Sequence, residues 1–380
     1  MRMFDSHEPG GGKKLERFLE DAGTIYGAAM GDYLFRPSLT FGEFVDFRLV
    51  KEVARLRMLE SMSKHARRFF NHPRLARLVE WPVLFLGASA KDTSAMYSLM
   101  SYADMALGTW YPMGGMHKII EAMFKVGQGL GVSTQLSTRV RQIRVRKGRV
   151  TGVETENGFL PCDAVLASAD YHHVEQDLLE PRYRQYSKRY WESRTMSPSS
   201  LLFYLGIEGD LGSLQHHTLF FDEDLDTHMD AVYGKTRWPK APLFYACAPS
   251  TTDPSVAPAG ASNLFLLIPL AAGLQDTQQM RDEIFASVMD RLERHIGRTL
   301  RKSIVFQRSY AMEDFERDYS AYKGNAYGMA NTLRQTGPLK PKLKSQRVRG
   351  LYFAGQLTVP GPGMPPSLIS GELSAKVLTN

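Results

Sequence analysis

The chain has 380 residues, of which 43% are hydrophobic and 23% charged, with a net charge of +7. That length exceeds the usual single core and predicts two domains, and a composition near the globular average excludes a disordered or fibrous chain. Two cysteines, Cys162 and Cys247, are too few for a disulfide framework and lack the paired spacing of a zinc site, so a reducing, cytoplasmic compartment fits best.

Residues 11–110 read mostly as helix. From Arg55 to Phe70, the residues Leu59, Met62, Ala66 and Phe69 form one apolar stripe, leaving Arg57, Lys64, Arg67 and Arg68 on other faces. That basic amphipathic helix suits either a core element with a solvated face or a surface resting on lipid headgroups. Tyr111-Pro112-Met113-Gly114-Gly115 is turn chemistry leading into a helix that places Ile119, Ile120, Met123 and Phe124 inward and stops at Gly127. A β-meander follows, with Val140, Ile143 and Val145, then Val150 and Val153, around Lys147-Gly148, and a second turn at Asn157-Gly158. It leads into a last strand ending at Ala169-Asp170. Further strands are expected at Leu201 to Leu205, Leu243 to Cys247 and Leu264 to Leu270, with a helix from Arg281 to Ile296. Leu351 to Gly355 reads as a short buried strand, residues 355–366 as a Gly- and Pro-rich loop, and Ser367 to Leu378 as a helix capped by Ser367. The longest nearly apolar run, Leu264 to Leu274, has about half of the roughly 20 residues a membrane span needs.

Several motifs are decoys. Gly127-Gln128-Gly129-Leu130-Gly131 follows a helix and precedes a strand, the reverse of a dinucleotide loop, and reads as a helix C-cap. Gly10-Gly11-Gly12-Lys13-Lys14 lacks the spacing of a phosphate loop. The pairs His172-His173 and His216-His217 have no carboxylate or cysteine at ligand spacing in the sequence, so no metal is expected. No nucleophile elbow and no aromatic-basic nucleic-acid signature is present, which leaves hydrolases and nucleic-acid binders without a foothold.

Three stretches occur in order: Tyr111-Pro112-Met113-Gly114-Gly115-Met116; the meander ending Ala167-Ser168-Ala169-Asp170; and Leu351-Tyr352-Phe353-Ala354-Gly355-Gln356 through Gly363-Met364-Pro365-Pro366 to Ser370-Gly371-Glu372. Together with Trp81 to Tyr97 and Asp314 to Gly328, they resemble the phytoene desaturase branch of the FAD-containing amine oxidase-like superfamily over nearly the whole chain from about residue 14. The resemblance implies a mixed α/β fold: the remainder of a two-domain, Rossmann-like flavoprotein of the glutathione reductase type, with a helical and β-sheet substrate domain. Its parts would be 11–110 (a substrate- and membrane-facing helical region), 111–173 (cofactor domain), 174–343 (substrate domain) and 344–380 (cofactor domain).

The cofactor implied is FAD. Glycines at Gly114, Gly115 and Gly355 permit close backbone approach, Gln356 stands where relatives carry an acidic residue, and a helix start near Met364 and Pro365 could aim N–H groups at the flavin. By the same resemblance Val140 would offer a backbone contact to the adenine end. The substrate implied is a polyene hydrocarbon such as phytoene, selected by an apolar tunnel for which Trp81 to Leu86, Met96 to Met100 and Leu201 to Leu205 are candidate walls. After Leu39-Thr40-Phe41, Glu43 keeps the carboxylate expected of an acid–base group, while the basic position falls on Asp46 and Arg48 is out of register. The strand, G-x-G-x-x-G and helix that should precede all this are missing, so a separate or upstream fingerprint-bearing segment is expected. A polyene isomerase, a carotene oxygenase or a non-catalytic lipid-binding remnant would share these motifs. Peripheral attachment to a membrane surface from the cytoplasm is the expected location.

Overall fold

Leu15, Phe18, Ala22, Ile25 and Ala29 fall on one face of a single helix, and that face is buried. The computed structural model describes residues 1–31, 33–40, 43, 60–86, 89–234, 236–332 and 334–379. The chain divides into two compact units: Met1–Thr109 with Thr138–Ser197 and Tyr327–Asn380, and Trp110–Ser137 with Pro198–Ala326. The stretch 111–173 is therefore split, its glycine turn and first helix grouping with residues 198–326.

In the first unit, α1 (Arg2–His7) and α2 (Gly11–Gly31) pack on α3 (Met62–Phe69) and α4 (Pro73–Glu80), closing a core of Phe4, Phe18, Met62, Ala66, Phe70, Leu75 and Val79. The basic helix starts later than its period suggests, because Ser61 caps it by accepting the Lys64 amide; Arg55 to Leu59 lie outside the described residues. Met62 and Ala66 are buried as expected, and Lys64, Arg67 and Arg68 are exposed. Glu8 closes the start of α4, where its carboxylate accepts the Asn71 and His72 amides at 3.0 and 2.9 Å. The hydrogen bond from Lys14 and these amides hold its carboxyl below the usual range.

Between these segments in the chain comes α5 (His117–Gly129), of the second unit. It is the predicted helix, but it runs two residues further and none of its residues is buried. Ile120, Met123 and Phe124, expected inward, are 56%, 50% and 43% exposed. Their period is amphipathic, yet of the residues expected inward only Ile119 is partly covered. The glycines after it behave as a cap: the Val132 amide returns to the Gly127 carbonyl at 2.9 Å and Gly131 takes φ +81°.

The meander is β1 (Val140–Arg146), β2 (Arg149–Thr155) and β3 (Gly158–Pro161), antiparallel throughout, turning at Lys147 and Gly148 with φ of +50° and +73°. β4 (Val165–Ala167) leaves that sheet, and Asp170 then caps α6 (Tyr171–Gln176).

The second unit is dominated by an antiparallel sheet of order β6-β7-β8-β5-β9, formed by β5 (Ser199–Glu208), β6 (His217–Phe220), β7 (Phe244–Cys247), β8 (Ala261–Leu270) and β9 (Ile304–Tyr310). Alternation buries Leu201, Phe203 and Leu205 with Leu264, Leu266 and Ile268 against Ile284, Val288, Met289 and Leu292 of α7 (Gln278–Ile296). These β5 residues are therefore core, and the half-exposed Tyr204 faces the other way, toward Phe265 at 5.2 Å. The sheet register also sets Cys247 across from His217, a partner that spacing along the chain does not reveal. Inside this unit Arg281 is bound by Asp276 and by Asp314, the latter in α8 (Met312–Tyr319).

Back in the first unit, β10 (Leu351–Phe353) pairs in parallel with β4. Its last residue stacks on Tyr171 at 3.7 Å, and α9 (Met364–Thr379) lays Ile369 and Leu373 against Leu343 and Val359.

Candidate flavin site

The parallel strands β4 and β10 end together, and the Ala354 amide still donates to the Ala167 carbonyl before the chain breaks away at Gly355. Gly355 has φ +106°, a value that L side chains rarely take, and a Cβ placed there would meet only the Ser168 carbonyl oxygen at 3.7 Å. The position thus faces open space beside exposed backbone. Two hydroxyls hold it: the Gly355 amide donates to Ser370 Oγ at 2.9 Å, and Thr358 Oγ1 donates to the Gly355 carbonyl at 2.8 Å. Ser374 Oγ donates to the Phe353 carbonyl at 2.5 Å, so α9 is fastened to the end of β10 along one face.

Gln356 follows, half-buried, with its backbone pressed by Gly328: a Cβ on Gly328, at φ +76°, would sit 2.8 Å from the Gln356 carbonyl oxygen. Sequence reasoning placed Gly328 in a matching segment but gave it no role.

Met364 and Pro365 are exposed at the start of α9, which begins there and not at Ser367. Pro365 and Pro366 have no N–H, and the Ser367 amide already donates to the Gly363 carbonyl at 2.9 Å. The array of free amides expected at this terminus is therefore reduced to that of Met364. The prolines were in plain view in the sequence and weaken the helix-terminus argument there.

Two further groups were missed. Lys340 is 2% exposed and its Nζ has no hydrogen-bond partner among the described residues; burial pushes its ammonium down to about 7. Asn331 Oδ1 is likewise buried and unpartnered among them. Both converge on Gly361 of the same loop, where a Cβ would lie 3.1 Å from Asn331 Oδ1 and 3.5 Å from Lys340 Cε. In sequence Lys340 is one of three lysines in Lys340-Pro341-Lys342-Leu343-Lys344, a run that normally reads as solvated charge. A buried donor and acceptor without partners cost more than their hydrogen bonds return, unless a polar ligand meets them.

The remaining residues are placed as follows. Gly114 and Gly115 lie in the second unit at φ +89° and +98°; the Gly114 amide donates to Asp253 Oδ2 at 2.6 Å, and Asp253 also accepts from Ser255 and the Tyr111 hydroxyl. Bonds from Ser255, then from Gly114, hold the Asp253 carboxyl below its usual range. Val140 opens β1 opposite Thr155. Glu43 has its two carboxylate oxygens on the Ser38 and Thr40 amides, each at 2.9 Å. Phe41, Asp46, Arg48, Gly87 and Ala88 lie outside the described residues.

This arrangement fits a flavin: an open-faced glycine at paired strand ends, a hydroxyl-braced loop, and a buried amine and amide oxygen beside it. Residues 11–379 match the family described as flavin containing amine oxidoreductase. The chain is 39% identical over 379 residues to a carotenoid 3,4-desaturase of Haloarcula japonica, covering 99% of this chain and 76% of that protein. It is 29% identical over 385 residues to a phytoene desaturase of Neurospora crassa, covering 97% of this chain and 64% of that one. A redesigned putrescine oxidase of known structure shares the fold, with a TM-score of 0.57 at 11% identity over 97% of this chain and 75% of the other. The chain therefore belongs to the flavin containing amine oxidoreductase family, an FAD-dependent oxidoreductase of the branch that holds the carotenoid desaturases.

Proposed function

We propose that the protein dehydrogenates a polyene of the phytoene or later carotenoid type. The observation that carries the cofactor half of this reading is the pair of buried, unpartnered groups, Lys340 Nζ and Asn331 Oδ1, beside the Gly361 loop. Bound FAD supplies the hydride acceptor, so that loss of a hydride from an allylic carbon and of a proton from its neighbour turns a single bond into a double bond. Gly355 and Gln356 would let the backbone approach the ring, Met364 and Pro365 would border it, Lys340 and Asn331 would meet its polar edge, and Gly114, Gly115 and Val140 would serve other parts of the cofactor. Glu43 is the proposed proton acceptor, and the Ser38 and Thr40 amides orient its carboxylate. For the substrate, the sheet face opposite the core offers Tyr204, Phe265 and Tyr245 in a row, an aromatic surface that Arg308, across from Tyr204, borders on one side.

A fingerprint-bearing segment, joined or separate, would complete the site, with 138–173 and 344–380 supplying most of this chain's share of the cofactor domain and 198–326 the substrate domain. The bare side of α5 supports it, since Ile120, Met123, Phe124 and Val126 form a face that water does not favour. We also place the protein peripherally on an anionic cytoplasmic membrane surface, where a hydrocarbon substrate resides, through Lys64, Arg67, Arg68, Arg74 and Arg77. No helix among the described residues is long and apolar enough to cross a membrane.

The test is turnover of a polyene by the chain supplied with a strand, G-x-G-x-x-G and helix segment. A product lighter by two hydrogens per step is expected. Unchanged mass would make the protein an isomerase, and added oxygen an oxygenase.

A further inference from the structure

At the edge of the five-stranded sheet lies a group of ligating side chains that the flavin chemistry does not use. Antiparallel register sets His217 of β6 opposite Cys247 of β7, and both side chains emerge on the face away from the core, with Sγ 3.9 Å from the histidine Nδ1. His216 sits just before β6, outside the strict alternation, and its ring lies beside that of His217 with centroids 4.3 Å apart. One donor atom from each of the three residues falls within 4.8 Å of the others.

The second layer is organised as well. Thr252 Oγ1 donates to the Pro249 carbonyl, so it receives the Nδ1–H of His216, 2.6 Å away. With Nδ1–H on Thr252, the His216 Nε2 lone pair is available to ligate, and that atom is buried and has no hydrogen-bond partner among the described residues. Tyr111 packs its ring edge-on against His216 at 4.6 Å, and the Tyr245 hydroxyl is 2.5 Å from His217 Nδ1.

We infer that His216, His217 and Cys247 form a binding site for a thiophilic divalent cation of the zinc class. Two imidazoles and one sulfur, with no carboxylate among them, select against magnesium and calcium. In a tetrahedral centre with bonds of about 2.0–2.3 Å, donors stand roughly 3.3–3.8 Å apart, so closing on the ion asks for a contraction of about 1 Å by side-chain rotation. A thiol must lose its proton to ligate, so each ion bound displaces one proton from Cys247 and forms one metal–sulfur bond. Three protein donors leave a fourth position for water or an exogenous ligand.

The experiment uses the purified full chain, stripped with a chelator and titrated with Co2+, followed by competition with Zn2+. We expect one Co2+ per chain, a thiolate-to-metal charge-transfer band with tetrahedral ligand-field absorption, and displacement by Zn2+. Cys247→Ser should abolish the band, His216→Ala and His217→Ala should weaken binding about 10- to 100-fold, and Cys162→Ser should change neither. Thermal unfolding of each metal-free variant, matched to the parent, separates lost ligation from lost fold. For any variant that fails this match, Cys247→Ala or His217→Gln replaces it. A band that survives in a folded Cys247 variant, or no Co2+ bound at micromolar concentration, would overturn the site.

Discussion

The sheet of the second unit and the C-terminal loop of the first handle buried charge in opposite ways. Beneath the sheet, Arg281 is enclosed by Asp276 and Asp314, with hydrogen bonds that account for its guanidinium. Beside the loop, Lys340 is at least as deeply buried and meets no partner among the described residues. A protein tolerates the first arrangement on its own account, because the ions compensate one another. The second carries a cost that burial lessens by pushing Lys340 toward its neutral form, and on our proposal the flavin would meet it.

The largest effect is expected under the sheet. Arg281→Met leaves two buried carboxylates facing each other and should cost about 3–5 kcal/mol in urea unfolding; a loss near zero would show that the network is no stronger than a surface pair. At the loop the sign should reverse. Lys340 has a folded-state pKa of about 7 against 10.5 for the free side chain, so the unfolded chain binds more protons between these values. Stability of the cofactor-free protein should rise as pH rises through that window, and Lys340→Met should raise stability at pH 7 by on the order of 2–4 kcal/mol while flattening the pH dependence. Equal pH profiles for the two proteins would mean that Lys340 is not sealed from water.

Gly355→Val sharpens the same contrast in a version completed with the fingerprint segment. Flavin absorbance should be lost, with a stability penalty of about 1–2 kcal/mol from the positive φ. Retained flavin, or global unfolding, would make the loop a structural turn. Smaller still is the lipid effect. Arg67 and Arg68 already face Glu80 and Glu60, so reversing Lys64 and Arg74 should account for most of the salt-sensitive flotation with anionic vesicles, at about 1 kcal/mol per charge. Flotation indifferent to these changes removes the membrane proposal. Least of all, Phe124→Asp should alter the stability of the chain alone by under about 0.5 kcal/mol, because the residue is exposed. It should nevertheless block the gain of flavin when the fingerprint segment is added, and a large destabilisation would show that α5 is covered by this chain itself.

Much of this molecule was readable beforehand. Local periodicity identified the meander, β5, β8 and α7, since period and turn chemistry act over a few residues. The ordered glycine stretches pointed to the flavin family, to which the chain belongs. What local pattern could not decide was which amphipathic faces find a partner, and α5 shows the failure: its apolar stripe was read as inward and is exposed. Lys340 is the converse, a lysine in a basic run that tertiary packing seals from water. Cys247 and His217 are separated by a long stretch of chain and meet only because antiparallel register pairs them. Residue type and spacing along the chain determined the elements and the family; burial and long-range pairing, which depend on the whole fold, decided where charge is uncompensated and which ligating atoms stand together.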